Sequence, residues 1–196
     1  TRSSVQLSHA QCAFAYRDSL FKHEPERYLI TAVRFALPRH APPRLDYAGL
    51  REELTRMGIR KPAPFHIAEA VVRLRERKLP DPAVIGNAGS FFKNPELPTE
   101  QAQALQAAHP GLPIWPLPQA GRCKLSAAWL IEAAGFKGQR AGDAGISSRH
   151  ALVLVNHGRA SGRELWAFAR RIMDGVFAQF GIHLESEPRI VGDLDS

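Results

Sequence analysis

Apolar and polar residues alternate between residues 28 and 37, in the stretch Tyr-Leu-Ile-Thr-Ala-Val-Arg-Phe-Ala-Leu. One face of this stretch would carry Leu29, Thr31, Val33, Phe35 and Leu37. A period of two is typical of a strand with one buried side, so we predict a strand here, ended by Pro38. A continuous apolar run at 150–156 predicts a buried strand, and residues 182–190 predict a further one.

The longest helical pattern covers residues 162–180, where apolar residues recur every three or four positions. Ser161 and Glu164 have the spacing of a capping box, and Gly181 suits the C′ position of this helix. Shorter helices are predicted over residues 47–57, 64–77, 99–109 and 125–134.

Two stretches, residues 83–95 and 110–121, follow neither period, and we predict irregular loops there. The stretch Leu79-Pro-Asp-Pro82 breaks the chain and indicates a domain boundary. Strands and helices are mixed without regular alternation, which predicts the α+β class. The sequence contains neither a GxGxxG nor a Walker A motif, so it shows no dinucleotide cradle of its own.

The composition excludes several classes of protein. No run of about eighteen apolar residues occurs, so no membrane span is predicted. Cys12 and Cys123 lie far apart and the eight histidines are scattered, so neither a disulfide framework nor a metal site is predicted. The first residues include no initiator Met and no apolar signal segment, so we expect a cytoplasmic protein that begins at a processing point or part-way into a longer one.

The formal net charge of the chain is +7. A positive balance indicates an anionic partner, either nucleic acid or a nucleotide or phosphorylated substrate. The basic residues are dispersed and no block of five occurs, which weakens the nucleic-acid interpretation.

The strongest local signal for chemistry is the segment Gly-Asn-Ala-Gly-Ser-Phe-Phe-Lys-Asn-Pro at 86–95. Its two glycines allow the backbone to approach a ligand closely. Ser90, Lys93 and Asn94 place a hydroxyl, an ammonium and an amide within five residues. On this pattern alone, a surface turn anchored by two phenylalanines remains the slightly favoured interpretation.

Six segments in one order resemble the UDP-N-acetylenolpyruvoylglucosamine reductases, also called UDP-N-acetylmuramate dehydrogenases. These segments are residues 14–19, 78–82, 86–95, 124–131, 151–156 and 185–189. The resemblance spans residues 10–191 and covers only the C-terminal part of such an enzyme. It implies that residues 1–79 are the C-terminal half of a flavin-binding α+β domain. It further implies a smaller α+β substrate-binding domain over 80–181, with residues 182–196 returning to the flavin side.

The resemblance implies NADPH- and FAD-dependent reduction of UDP-N-acetylglucosamine enolpyruvate to UDP-N-acetylmuramate, a step of peptidoglycan precursor synthesis and hence of cell wall biogenesis, cell shape and cell division. In this family NADPH reduces FAD, and the reduced flavin passes hydride to the enolpyruvyl double bond. An acid then protonates the neighbouring carbon. We therefore expect a bacterial cytoplasmic oxidoreductase, monomeric, with no nucleic-acid or membrane partner. The isolated chain is expected to be inactive because most FAD-binding loops have no counterpart in it.

Three residues match the catalytic positions of the family. Ser90 resembles the proton donor, which can act because the developing carbanion is strongly basic. Arg17 matches the arginine that holds the substrate carboxylate, for which its planar fork is suited. Glu187 matches the catalytic glutamate, and Glu185, two residues away, is the alternative. Taken singly, each also fits an ordinary role, as a turn hydroxyl, a surface arginine and a solvated glutamate.

Further residues match ligand-contacting positions of the family. The resemblance implies substrate contacts for Tyr47, Lys78, Asn94, Trp115 and Lys124, and a flavin-phosphate contact for Arg75. Trp115 stands in a loop where one branch of the family has a tyrosine, so lid contacts are in doubt. His150 falls near a family glutamine and is assigned no role. A non-catalytic nucleotide-sugar-binding fragment, or a split homologue, is the alternative function. A basic nucleic-acid-binding domain rests on charge alone.

Overall fold

A computed structural model of the chain describes residues 3–118 and 121–192. The chain divides into two compact units, residues 1–42 and residues 43–196. Helices and antiparallel sheets occur together in the second unit, which confirms the predicted α+β class. No described helix is long and apolar enough to cross a membrane. The predicted domain limits at residues 79 and 181 stay a prediction.

The first unit contains two short helices, α1 (His9–Cys12) and α2 (Leu20–His23). Ser8 caps α1, since its side chain accepts from the amide of Gln11 while the Gln11 side chain accepts from the amide of Ser8. Asp18 accepts from the amide of Ser19 at the start of α2 and pairs with His23 at 2.7 Å. These bonds are local, so they define short elements without a large core.

The strand predicted over residues 28–37 is wrong, because this stretch is extended but pairs with no strand within the described residues. Leu29 is 87% exposed and Leu37 is 81% exposed. A strand forms only where a neighbouring strand accepts and donates its backbone hydrogen bonds. The alternating pattern is therefore present in the sequence without the partner that would turn it into a sheet.

In the second unit, a helical hairpin comes first, formed by α3 (Leu50–Arg56) and α4 (Pro64–Lys78). Both helices were predicted from their apolar spacing, and Pro64 occupies the first helical position, where no amide partner is needed. Four buried residues form the core between the helices: Leu50, Leu54, Ala70 and Leu74.

An ion pair between the buried Glu53 of α3 and the half-exposed Arg77 of α4 joins the two helices. Glu53 is 2% exposed, and both of its carboxylate oxygens accept hydrogen bonds from the guanidinium of Arg77. The hydrogen bonds from Arg77 lower the pKa of Glu53 below its ordinary value, against the opposing effect of burial. A carboxyl whose pKa is lowered by folding stabilises the fold above its unfolded pKa of 4.5 and loses that contribution as pH falls through the folded pKa.

We therefore predict that Glu53→Gln lowers the thermal unfolding midpoint at neutral pH, because it leaves the Arg77 guanidinium facing a neutral amide. The difference from the parent protein should shrink as the pH is lowered below the folded pKa. Helical circular dichroism during heating measures both effects. Glu69→Gln is the matched control, since Glu69 pairs with Arg73 at 2.6 Å on the exposed face of α4 and should matter little. Equal effects of the two substitutions would contradict the prediction.

Two antiparallel sheets make up the rest of the second unit. The first contains four strands, which are β1 (Gly86–Ser90), β5 (Arg140–Ala141), β6 (Ala144–Ile146) and β7 (Val153–Asn156), in the order β1-β7-β6-β5. The second contains β2 (Glu96–Pro98), β3 (Ile114–Pro116) and β4 (Arg122–Leu125), with β4 in the centre.

Three helices pack with these sheets: α5 (Thr99–Ala108), α6 (Ala127–Ala133) and α7 (Gly162–Phe180). The capping box at Ser161 and Glu164 and the left-handed cap at Gly181, where φ is 67°, confirm the predicted limits of α7. The apolar face of α7 buries Phe168, Ile172 and Val176 in one core with α6 and the first sheet. This core holds the strand ends where the candidate chemistry lies.

Three predictions for irregular or extended segments are wrong. The predicted loop at 83–95 contains β1, and the predicted loop at 110–121 contains β3. The predicted strand at 182–190 makes only one bridge, between Phe92 and Ser186. Strand formation depends on which backbone edge lies alongside more than on local propensity. A glycine-rich stretch therefore becomes a strand beside β7, while the apolar tail segment lacks a continuous partner within the described residues.

Candidate functional site

Ser90 ends β1, at an irregular point in its pairing with β7. The register shifts between Asn87 and Ser90, and Gly89 between them has a φ of 76°, which favours glycine. Asn87 accepts from the amide of Gly89 at 3.0 Å and so stabilises this turn of the backbone. A bulge of this kind redirects the side chain that follows it.

The Ser90 hydroxyl has no hydrogen-bond partner among the described residues. The local turn is held by the Asn87 side chain, and the next amide, that of Phe91, donates to the carbonyl of Leu152 at 2.7 Å. Ser90 is also partly exposed. The ordinary interpretation of Ser90 as a turn hydroxyl bonding its own loop is therefore disfavoured, and the hydroxyl is available to a ligand.

The chain just after Ser90 pairs with the tail segment that carries Glu187. The amide of Glu187 donates to the carbonyl of Phe91 at 2.7 Å, and the amide of Lys93 donates to the carbonyl of Glu185 at 2.9 Å. Phe92, only 1% exposed, anchors this pairing in the core. The structure thus brings the predicted proton donor and the predicted glutamate onto neighbouring backbone segments.

Glu185 and Glu187 differ in their surroundings. The carboxylate of Glu185 forms an ion pair with Lys93 at 2.9 Å, and its side chain is 73% exposed. Glu187 is only partly exposed. The carboxylate of Glu185 is thus bound to Lys93, and the assignment of the catalytic role to Glu187 rather than Glu185 stays a prediction.

Asn94 lies at the start of α6, where its side-chain oxygen accepts from the amide of Ala127 at 3.0 Å. The Ser126 hydroxyl accepts from the amide of Trp129 at 3.2 Å in the same helical turn. The side-chain oxygen of Asn94 therefore serves the helix end. Its amide nitrogen donates to no described residue and can therefore donate a hydrogen bond to a ligand.

Trp115 and Lys124 are neighbours across the second sheet. They are register partners on β3 and β4, and the Lys124 ammonium lies 5.5 Å from the centre of the Trp115 ring. Trp115 is 45% exposed. The predicted loop is thus a strand edge that presents a cation over an aromatic face, an arrangement that holds the lysine head in place.

Tyr47, Arg75 and Lys78 lie on or beside the helical hairpin. Tyr47 precedes α3 and is 46% exposed, and its carbonyl accepts from the amide of Leu50. Arg75 and Lys78 are exposed near the C-terminal end of α4. Lys78 is close enough to the loop before β7 to act on His150: burial lowers the pKa of His150, and the positive charges of Lys78 and Lys137 lower it further.

Arg17 belongs to the first unit and has a φ of 54°, in the left-handed region. Its carbonyl accepts from the Lys22 ammonium at 2.7 Å, and its guanidinium lies 5.6 Å from the centre of the Tyr16 ring. A non-glycine residue in this region is unusual and is often found at functional sites. The placement of Arg17 next to Ser90 and Glu187 stays a prediction.

Local sequence patterns gave no sign of two features of the site. One is the pairing of Phe91 and Lys93 with the tail segment, and the other is the approach of Lys78 to His150. Both join residues far apart in the chain, which local patterns do not report. No group of three metal-ligating side chains occurs in residues 3–118 and 121–192, and both cysteines are free and buried.

The family resemblance assigns one flavin contact, Arg75, to this chain. Arg75 is one exposed guanidinium at a helix end, which suits a single phosphate contact. The helical hairpin beside it is closed by its own buried core. That the isolated chain holds flavin weakly or not at all stays a prediction.

Comparison with known proteins places these observations in a family. The model of the UDP-N-acetylenolpyruvoylglucosamine reductase C-terminal domain matches residues 81–191. The reductase of that name from Xanthomonas euvesicatoria pv. vesicatoria is 60% identical over 188 residues, which is 96% of this chain and 54% of the relative. The one from Xanthomonas campestris pv. campestris strain 8004 is 58% identical over 192 residues, 98% of this chain and 55% of the relative.

A solved structure of a UDP-N-acetylenolpyruvylglucosamine reductase from Thermus caldophilus is 28% identical, with a TM-score of 0.38 over 70% of this chain and 34% of that one. The chain spans about half the length of the curated relatives it matches. Since the family model matches more than half of the chain, the chain belongs to the UDP-N-acetylenolpyruvoylglucosamine reductase family and corresponds to its C-terminal part.

Proposed function

We propose that this chain is the substrate-binding and proton-donating part of an FAD- and NADPH-dependent reductase that converts UDP-N-acetylglucosamine enolpyruvate into UDP-N-acetylmuramate for peptidoglycan synthesis. The observation that carries the proposal is the hydrogen bond from the amide of Glu187 to the carbonyl of Phe91, directly after Ser90. It supports a shared site for two residues that sequence separates widely. The name of these relatives supports the same reaction.

In this proposal, Ser90 protonates the carbon next to the one that receives hydride. A bound flavin would supply that hydride. A serine hydroxyl is a weak acid in water, but the carbon it meets is strongly basic once negative charge accumulates there. Because the Ser90 hydroxyl is bonded to no described residue, it can turn toward the substrate without losing a hydrogen bond.

The negative charge that develops on the substrate carboxylate needs stabilisation. Arg17 would bind that carboxylate through two parallel N–H donors. Glu187, if protonated in the complex, would donate to the enolate oxygen as charge builds up there.

The nucleotide part of the substrate would extend over the basic side of the second unit. Lys78 and Lys124 supply point charges for the diphosphate, and the free amide nitrogen of Asn94 supplies a neutral donor. Trp115 and Tyr47, each almost half exposed, offer ring faces to the uridine or the sugar. Arg75 would reach a flavin phosphate. Residues 1–79 would then form one half of a flavin-binding domain and residues 80–181 the substrate-binding domain.

A chimeric enzyme tests the proposal. This chain would replace the matched segment of the Xanthomonas euvesicatoria relative, whose remaining part supplies what this chain does not align with. We expect the purified chimera to oxidise NADPH only when UDP-N-acetylglucosamine enolpyruvate is added, with UDP-N-acetylmuramate as product. The unmodified relative is the positive control. A folded chimera that binds the substrate without consuming NADPH would refute the reductase and favour a nucleotide-sugar-binding protein.

A further inference from the structure

The outward face of α7 carries an unusual concentration of arginine. Six residues of this helix line an open groove of about 450 Å³: Arg163, Trp166, Ala167, Arg170, Arg171 and Asp174. They recur at helical spacing on the side opposite the buried Phe168, Ile172 and Val176. The groove lies wholly within the second unit and includes none of the residues assigned to the substrate.

The three arginines form no ion pair with any carboxylate in the part of the chain that the structure describes. Asp174 stands three residues after Arg171 and four after Arg170, but a basic residue placed before an acidic one is the weaker arrangement on a helix. Other exposed arginines of the chain, such as Arg27 and Arg73, do pair with nearby glutamates. The groove therefore keeps a positive field that its own helix does not neutralise.

Trp166 adds a flat apolar surface to this positive field. It is half-buried and packs on Phe91 with a distance of 6.5 Å between ring centres. Trp166 thus packs on an aromatic neighbour and also lines the groove. A fixed aromatic face between guanidinium groups is suited to stack on a planar ring whose attached groups are anionic.

We propose that this groove binds a nucleoside diphosphate, with the base stacked on Trp166 and the phosphates held by Arg163, Arg170 and Arg171. Guanidinium groups bind phosphate oxygens in a forked manner, which fixes a ligand in orientation as well as by charge. Eight residues of helix separate Arg163 from Arg171, about 12 Å along the axis, which is the reach of one nucleotide. Asp174 lies at the C-terminal end of this row of arginines, and its negative charge disfavours a polyanion that extends past it.

Calorimetric titration with ADP tests the proposal on the whole chain. We expect saturable binding and quenching of tryptophan fluorescence. Arg163→Gln and Arg170→Gln should each weaken ADP binding by about tenfold, the loss expected for one charge-assisted hydrogen bond. Trp166→Phe should remove the quenching and weaken binding less. Arg51→Gln on the exposed face of α3 is the matched control and should leave the affinity unchanged.

Three further measurements distinguish this site from the alternatives. Lys78→Gln should not change ADP binding, and a loss of binding in that variant would place ADP in the candidate substrate site and overturn the proposal. Inorganic pyrophosphate should bind more weakly than ADP, and equal affinity would refute stacking on Trp166. A single-stranded oligonucleotide that binds the groove more tightly than ADP would likewise overturn it in favour of nucleic acid.

Discussion

Replacing Ser90 by alanine in the chimeric enzyme is expected to leave flavin reduction by NADPH intact and to slow flavin reoxidation by the substrate by about 10²- to 10⁴-fold, the range for loss of a positioned acid. The two half-reactions separate in a stopped-flow measurement of flavin absorbance. The first does not involve the substrate carbon and therefore needs no proton from Ser90. The second leaves a carbanion that only slower solvent protonation can discharge.

The structure makes Ser90→Ala an unusually clean test. Since the hydroxyl is bonded to no described residue, its removal leaves no orphaned partner and should not alter the fold. Ser186→Ala is the matched control, because Ser186 forms the bridge to Phe92 within the same pairing of segments and is also partly exposed. We expect this control to reoxidise at the parent rate. If Ser90→Ala does so as well, the proton-donor assignment is wrong.

The helices were predictable from sequence because their determinants are local. The capping box at Ser161 and Glu164, the left-handed Gly181 and the proline at position 64 each act within one helical turn. The strands were not predictable in the same way. Residues 86–90 have the composition of a turn and become a strand because the edge of β7 supplies their hydrogen bonds.

In the candidate site, too, features within one short segment could be predicted, whereas contacts between distant segments could not. The hydroxyl, ammonium and amide of residues 90–94 are visible in the sequence as a cluster. The backbone pairing of this segment with the segment that carries Glu187 spans more than ninety residues, and only the family resemblance suggested it. The ion pair between Lys93 and Glu185 likewise joins residues far apart in the chain. The roles of Arg17 and of the substrate-contacting residues stay predictions.

The second large effect concerns flavin binding and is predicted from the alternating stretch at 28–37. The 196-residue chain, expressed by itself, is expected to purify without stoichiometric flavin. The chimera is expected to be yellow. The stretch makes no strand pairing within the described residues and exposes five or more apolar side chains. Such a stretch is suited to pair with a further strand that covers these side chains. In the proposed domain arrangement, that neighbour would also carry most contacts to the flavin.

Hydrogen exchange gives an independent measure that needs no flavin. Amides of residues 29–37 should exchange rapidly in the isolated chain and become protected in the chimera, because a strand neighbour would accept their hydrogen bonds. Amides of β7, which are already paired on both sides, should be equally protected in both proteins and serve as the internal control. If residues 29–37 become protected in a chimera that holds no flavin, the strand neighbour alone accounts for the protection. A stoichiometrically yellow isolated chain would contradict the prediction, since it would mean that Arg75 and its neighbours suffice to hold the cofactor.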